Sequence, residues 1–354
     1  MTKQQVVITK NAAEELHKIL LQAAYPSVFI IMDENSTKHC FPAISSIKSL
    51  SSAKIIEIPA GDDNKNIDTL VSIWKYLSEN GATRKSLIIN LGGGMITDLG
   101  GFAASTFKRG MDYINIPTTL LGAVDAAVGG KTGINFMGLK NEIGSISPAK
   151  FVIIDPHFFK TLDKANFLSG YAEMLKHALI DSEEELQKIL TFDLKNIDYE
   201  QLGDLLARSV AIKEAIVEKD PHEQNIRKAL NFGHTIGHAF ESFSYQTGRP
   251  LLHGYAVAYG IICELYLSHK KLQFPSETLQ QICRFIVSYY GNFSINCKDY
   301  HSLYELMTHD KKNETRDVNF TLLAAVGDIK INQIVDEKAI FEALDFYRDW
   351  AETT

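Results

Sequence analysis

Ser86-Leu87-Ile88-Ile89-Asn90-Leu91-Gly92-Gly93-Gly94-Met95-Ile96-Thr97-Asp98-Leu99-Gly100-Gly101 is the stretch on which the fold turns. An apolar run of strand length ends on three glycines, and a segment able to form a helix opens directly after them. Strand, glycine turn and helix in that order make the repeating unit of a parallel sheet. Backbone N–H groups at such a turn can approach a pyrophosphate, and the helix N-terminus adds positive potential. The stretch departs from the GxGxxG fingerprint, because Thr97 stands in the last glycine's place and the turn comes too late for a first βα unit. A tight turn with close strand–helix packing would use the same glycines.

The alternation extends outward on both sides. Apolar runs at Val6–Thr9, Ser27–Met32, Ala53–Ile58, Tyr113–Ile116 and Phe151–Ile154 are separated by helix-length amphipathic segments. One of these is Asn11–Leu21, where Asn11 and Glu14 fit a capping box. Apolar strands alternating with helices imply a parallel sheet covered on both faces, with ligands bound beyond the strands' carboxyl ends. Those ends are polar: Asp33-Glu34-Asn35 after one strand, Pro59 to Lys65 after the next. Beyond Ile116 comes Gly129-Gly130-Lys131-Thr132, which looks like the end of a P-loop. Asp125 stands where that motif needs glycine, so an NTPase reading fails by spacing. What remains is Lys131 in a flexible glycine loop, followed by Lys140-Asn141. These suit a phosphate or carboxylate, or are simply solvated loop residues.

Beyond residue 160 the strand signal largely disappears. Ser169–His177 reads as helix, with Glu173, Lys176 and His177 on one face. Val210–Lys219 carries Lys213, and residues 184–200 read as a solvated connection. Asp220-Pro221-His222-Glu223 resembles a helix start. The helix expected there leads through Arg227 into Asn231-Phe232-Gly233-His234-Thr235-Ile236-Gly237-His238. Asn231, His234 and His238 stand at i, i+3 and i+7, one face of a helix. Gly233 and Gly237 would each cost roughly 1 kcal/mol there relative to alanine, which points to close packing. His253-Gly254 opens another helix running through Cys263. A strand at Phe320–Val326 and an amphipathic helix over about 337–350 follow Asp310-Lys311-Lys312-Asn313. One carboxylate and two imidazoles form a tripod that leaves zinc open to substrate. Glu173 with two of His234, His238 and His253 would supply it, and spacing does not say which two.

Composition narrows the class. At 354 residues, with 45% hydrophobic and 22% charged residues, the chain has room for two cored domains. A net charge of −7 argues against a nucleic-acid partner. Cys40, Cys263, Cys283 and Cys297 are scattered without a CxxC, which reads as reduced, buried thiols in the cytoplasm. With no apolar signal region and no long apolar run, neither export nor membrane insertion is expected.

Taken in order, the motifs resemble the 3-dehydroquinate synthase family over essentially the whole chain. They are GGG-x-x-x-D-x-GGF (92–102), KRG (108–110), IPTTLL-x-x-VD-x-x-VGGKT (116–132), LKN (139–141) and SGYAE-x-x-KH (169–177). The series Lys213, Asp220, Glu223, Arg227 follows, then NFGHTIGHA-x-E (231–241), LHG (252–254) and DKKN (310–313). Three places depart from the family pattern: Ala126-Ala127 for the usual serines, Gly144–Ser147 for a GAF-x-Q-like segment, and Tyr255 where glutamate is common.

The resemblance implies an α/β N-terminal domain with a parallel Rossmann-like sheet (residues 1–160), which binds NAD. A mainly α-helical C-terminal domain (161–354) would hold metal and substrate, with the active site in the cleft between the two. By similarity, Glu173, His234 and His253 are the ligands of zinc or cobalt. Asp33, Asn35, Asp62, Lys65, Gly93, Gly94, Met95, Asp98, Thr118, Thr119, Asp125, Lys131, Lys140, Phe158 and Thr161 surround NAD. Lys131, Asn141, Lys176, Lys213, Glu223, Arg227, Asn231, His238, Lys311 and Lys312 serve the anionic sugar phosphate, with one lysine of the last pair in contact. Arg109 reaches the neighbouring subunit's substrate phosphate, which implies a homodimer. The implied reaction converts 3-deoxy-D-arabino-heptulosonate 7-phosphate to 3-dehydroquinate and phosphate. Another sugar phosphate cyclase, an NAD- and metal-dependent polyol dehydrogenase, and a non-catalytic zinc- or nucleotide-binding regulator are the competing readings.

Overall fold

The computed structural model describes residues 4–137, 139–308 and 318–353. Strands and helices alternate at first: β1 (Gln5–Ile8), α1 (Ala12–Ala23), β2 (Val28–Asp33), α2 (Glu34–His39), β3 (Lys54–Ile58) and α3 (Ile67–Glu79). Then come β4 (Leu87–Gly92), α4 (Gly94–Thr106), β5 (Asp112–Pro117), β6 (Lys131–Phe136), β7 (Leu139–Ile146) and β8 (Phe151–Ile154). Six strands pair in the order β1-β8-β5-β4-β2-β3, all parallel. Every residue of β4 is buried, as a strand covered on both faces requires. The chain runs outward from β2 to β3 and returns to the other side of β2 as β4. The crevice between β2 and β4 is therefore a switch point, where such sheets bind ligands.

Two local features differ from expectation. Asn11 caps α1 by accepting from Glu14 N at 3.1 Å, but the return bond of a capping box is absent among the described residues. The segment after Gly130, expected as a flexible glycine loop, is the antiparallel ribbon β6–β7. Its glycines serve close approach: a Cβ on Gly144 would lie 2.1 Å from Thr132 O, and one on Gly133 2.7 Å from Ile143 O. Side-chain-free positions erase the two-residue period that would otherwise have marked the strands.

The chain divides into two compact units, Met1–Asp163 with Ile197–Val210, and Lys164–Asn196 with Ala211–Thr354. The second unit draws on α5 (Lys164–Asp181), α6 (Glu183–Thr191), the part of α7 (Tyr199–Lys219) from Ala211 onward, α8 (His234–Gln246), α9 (His253–Leu272), α10 (Ser276–Tyr290) and α11 (Tyr300–Thr308). An antiparallel hairpin, β9 (Val318–Ala325) with β10 (Asp328–Val335), and α12 (Glu337–Thr353) follow. The sequence marked β9 but not β10, whose exposed face carries Asp328, Lys330 and Asn332 beside Ile334. Residues 184–200 are no solvated connection. Ser182 caps α6, which buries Leu186 and Ile189 behind its charged face, and Tyr171 Oη donates to Ile189 O at 2.7 Å.

The helix expected to run from Pro221 is also absent. The Asp220 carboxylate accepts from Gln224 N, Asn225 N and Arg227 N, gathering a turn in place of a helix start. Glu223 adopts a left-handed φ of 57°, and only a short 3₁₀ segment, Ile226–Asn231, follows. Gly233, at φ 78°, is the cap of α8, so Asn231 lies outside the helix that carries His234 and His238. Of the cysteines, Cys40, Cys263 and Cys283 are buried, whereas Cys297 is exposed.

Packing of α4 on the sheet depends on one missing side chain. A Cβ on Gly100 would sit 2.0 Å from Oδ1 of Asn90 in β4. Asn90 in turn donates to Asn115 Oδ1 in β5 at 2.9 Å. Gly100→Ala is expected to destabilise the protein by about 1–3 kcal/mol, the usual cost of overpacking. Denaturant unfolding measures this, and an unchanged midpoint would mean that α4 does not press on β4 there.

Candidate active site

In the first unit, residues marked for cofactor and substrate gather along the carboxyl edge of the sheet. Asp33 ends β2, where its side chain caps α2, and Asn35 lies in the first turn of that helix. Gly93 caps α4, Gly94 and Met95 open it, and Asp98 follows one turn on. Cβ atoms on Gly93 or Gly94 would come within 3.0 and 3.2 Å of Thr119 and Ala126 respectively. Thr118 and Thr119 follow β5, with Thr118 N donating to Gly92 O at 2.9 Å. Asp125 lies in a π-helical turn, Gly122–Ala126, and Phe158 and Thr161 in the 3₁₀ turn after β8. The Cys40 thiol, which sequence reasoning passed over, reaches both Thr118 and Thr161. Burial pushes it up to about 11 against those two hydrogen bonds.

Lys65 ties this edge together. Its buried ammonium donates to Asp98 Oδ2 and to Asn141 Oδ1, each at 2.5 Å. Asn141 stands at a left-handed φ of 52° and is held by its own N–H to Asn135 Oδ1 at 2.9 Å. Asn135 also donates to Asp62 O at 3.1 Å, and Lys140 lies 3.5 Å from Asp62 Oδ2. Lys131 opens β6 and is exposed. Arg109 closes the turn after α4 at φ 66°, between Lys108 at 48° and Gly110 at 109°.

In the second unit three helices converge on Glu173, which is fully buried in α5. Its Oε1 lies 3.4 Å from Nε2 of His234 and 3.4 Å from Nε2 of His253, while Oε2 meets Lys176 Nζ. Two features build this. Gly254 N donates to Ser169 Oγ at 3.0 Å, and a Cβ on Gly254 would lie 1.9 Å from Ser169 O, so the start of α9 rests directly on α5. Gly233 and Gly237 of α8 lie against Gly260 of α9, where a Cβ would be 2.1 Å from Gly233 O. Close packing of these glycines offsets their poor helix propensity.

The tautomers follow from the outer partners. His234 Nδ1–H donates to Phe232 O at 3.1 Å, and His253 Nδ1 pairs with Glu241 Oε2 at 3.1 Å, which turns both Nε2 atoms inward. Glu241, not singled out from the sequence, occupies the last position of the NFGHTIGHA-x-E motif. Burial and the Lys176 charge push His234 down, which keeps its Nε2 lone pair available. Burial also acts to lower His253, but hydrogen bonds and charge from Glu173 and Glu241 outweigh it and raise the ring to about 10. Burial pushes Glu173 up, yet the positive charge facing it, that of Lys176 first, holds it well below the carboxylate range.

The donor set fits a divalent ion. Neither Glu173 oxygen has a hydrogen bond of ordinary geometry, though both are buried. Ligands 2.0–2.1 Å from zinc at tetrahedral angles lie about 3.3 Å apart, close to the observed 3.4 Å spacings. His238 is exposed, with a ring nitrogen within 4.8 Å of those of His234 and His253. Further residues of the expected set also lie in this unit. Lys213 and Arg227 are buried, Arg227 donates to Pro221 O at 2.7 Å, and Asn231 donates to Glu223 Oε1 at 2.8 Å. Lys311 and Lys312 lie outside the described residues.

Comparisons with known proteins agree with one another. The family descriptions "3-dehydroquinate synthase N-terminal" and "3-dehydroquinate synthase C-terminal" match residues 55–169 and 170–313. The 3-dehydroquinate synthase of Parabacteroides distasonis is 56% identical over 349 residues, 99% of each chain. Among solved structures, 2-deoxy-scyllo-inosose synthase in complex with carbaglucose-6-phosphate, NAD+ and Co2+ aligns with a TM-score of 0.84, at 22% identity over 97% of this chain and 96% of that one. The 2-epi-5-epi-valiolone synthase of Streptomyces hygroscopicus, with NAD+ and Zn2+ bound, gives 0.83 at 23% identity, over 100% and 98%. At those identities the structural likeness concerns the fold.

A histidine whose pKa rises on folding stabilises the fold below its ordinary value, and the contribution disappears as pH climbs through the folded value. For His253 that window runs from about 6.5 to about 10 in the metal-free protein. Chelator-treated protein should therefore lose thermal stability across this range, and Glu241→Ala should flatten the slope. A slope unaffected by the substitution would remove Glu241 as the partner of His253.

Proposed function

The chain belongs to the 3-dehydroquinate synthase family, and from that premise we propose that it converts 3-deoxy-D-arabino-heptulosonate 7-phosphate to 3-dehydroquinate and inorganic phosphate. The reaction passes through oxidation at C5, loss of phosphate, reduction at C5 and an intramolecular aldol closure, and classes the enzyme as a carbon–oxygen lyase. The observation that carries this reading is identity of 56% across 99% of both chains with a curated 3-dehydroquinate synthase, which a generic cyclase or polyol dehydrogenase would not give. When bound, NAD takes and returns a hydride, and a divalent ion polarises the neighbouring hydroxyls.

Glu173, His234 and His253 would hold the ion. The polar carboxyl edge around Asp33, Gly94, Asp98, Thr118 and Lys65 would hold NAD. Lys131, Asn141, Asn231, His238 and Arg109 would bind the phosphate, while Lys213 and Arg227 suit the carboxylate, Arg227 with a bidentate fork. Exposed His238, beside the two ligand imidazoles, can exchange a proton with water and fits the shuttle role. On this reading the domains divide the work, residues 1–160 binding NAD and 161–354 binding metal and substrate.

A homodimer completes the proposal. Arg109 is held in strained backbone at the end of α4, which packs against β6 and β7. That ribbon exposes Phe136, Met137, Leu139, Ile143 and Ile146, an apolar surface suited to a second copy. No helix of the described residues is long and apolar enough to cross a membrane, in keeping with a cytoplasmic site of action.

Two measurements test this. With catalytic NAD+ and zinc, heptulosonate 7-phosphate should give stoichiometric phosphate and dehydroquinate without net NADH; accumulating NADH would point to a dehydrogenase. Arg109→Ala and His253→Ala proteins, each inactive alone, should regain about a quarter of wild-type activity on random mixing, since half the dimers then hold one intact site. No recovery on mixing would place Arg109 in its own subunit's site.

A further inference from the structure

Glu264 is a buried carboxylate that the reaction does not use. It lies three turns along α9 from His253 and is fully buried. Its Oε2 accepts from Gly233 N at 2.6 Å and its Oε1 from Ile236 N at 3.1 Å. Thr235 N is a third donor facing it. These are N–H groups at the start of α8, which no helix partner can satisfy and which no side chain of α8 itself caps. The cap comes from another helix, and that helix also carries His253.

We infer that Glu264 is a positioning residue for the metal centre. By seating the first turn of α8 on α9, it fixes His234 relative to His253 so that both Nε2 atoms meet Glu173. The inference rests on the metal-site reading above.

Gly233 caps α8 without a side chain, and its left-handed backbone turns the chain into His234 at once. Gly260 lets the two helices touch, but contact between glycines sets a distance and not a register. A carboxylate with one oxygen on Gly233 N and the other on Ile236 N brackets His234 from both sides. Glutamine has the same shape but replaces one acceptor with a donor, which would face a backbone N–H. Glu264→Gln should therefore rotate the first turn of α8 without emptying the core.

The test uses the full chain and zinc itself, with affinity read by competition against a chromophoric chelator. Glu264→Gln should bind zinc about ten-fold or more weakly, as loss of an outer partner of a ligand does. The absorption bands of the cobalt-loaded protein should shift, and NAD affinity should stay at the wild-type value. Ile340→Ala, in the buried core of α12, serves as a variant destabilised by core truncation that leaves the hydrogen bonds of this cap in place. It should keep wild-type zinc affinity at a comparable loss of Tm. Should Glu264→Gln fail to fold, Glu264→Asp keeps the carboxyl group but is one methylene short, and should show a smaller loss. Unchanged zinc affinity and cobalt bands in the folded variant would overturn the inference, as would an equal loss of affinity in Ile340→Ala. Absence of tight zinc binding by the wild type would instead overturn the metal-site reading itself.

Discussion

A carboxylate at Glu173, out of reach of water, is the constraint on which the second unit is arranged. An ionised group in that position costs several kcal/mol unless it is matched by positive charge and hydrogen bonds. Lys176 meets one of its oxygens, and two imidazole nitrogens face the other. Only Lys176 shares its helix. The imidazoles come from the first residues of α8 and α9, so two helix starts must be brought against the middle of a third. That requirement accounts for glycine at 237, 254 and 260, where helix propensity would choose almost anything else, while the left-handed cap itself calls for glycine at 233.

The first unit answers to a different constraint. A parallel sheet leaves its carboxyl edge open, and polar groups there must find partners without blocking the crevice. Lys65 does so by lying between Asp98 and Asn141, joining α4 to the β6–β7 ribbon. Asn135 N donates to Lys65 O at 2.7 Å, and Asn135 Oδ1 holds Asn141. The left-handed backbone at Asn141 is thereby held from two directions, which is what lets a strained residue persist. A residue assigned to substrate thus shares a lysine with one assigned to NAD.

Legibility in the sequence divided along physical lines. The strands of the large sheet, buried on both faces, are continuous apolar runs, and their positions were readable to within a residue or two. The β6–β7 ribbon was not, because close backbone approach had replaced side chains with glycine. Helix α6 was hidden by charge, its buried pair Leu186 and Ile189 being too short a stripe to stand out. Asp220-Pro221 misled because a carboxylate before proline caps a turn as readily as a helix, and only the left-handed Glu223 distinguishes the two. Glu241 and Glu264 act through groups distant in sequence, and no local pattern marks such partners. The family motifs named Glu173, His234 and His253 together, where spacing left the pair of histidines open.

His234 and His238 are one helical turn apart, with ring centroids 5.2 Å from each other, and His253 is 5.4 and 5.8 Å from the two. By proximity the three are nearly equivalent. They differ in what lies behind each ring and in exposure. Phe232 O fixes Nδ1 of His234 and Glu241 fixes Nδ1 of His253, so each presents Nε2 to Glu173. An imidazole anchored behind and turned toward a buried carboxylate is set up to ligate. His238 is the exposed ring of the three. The orientation of the two inward-facing rings is written in those outer contacts, one of them to a backbone carbonyl that no side-chain pattern encodes.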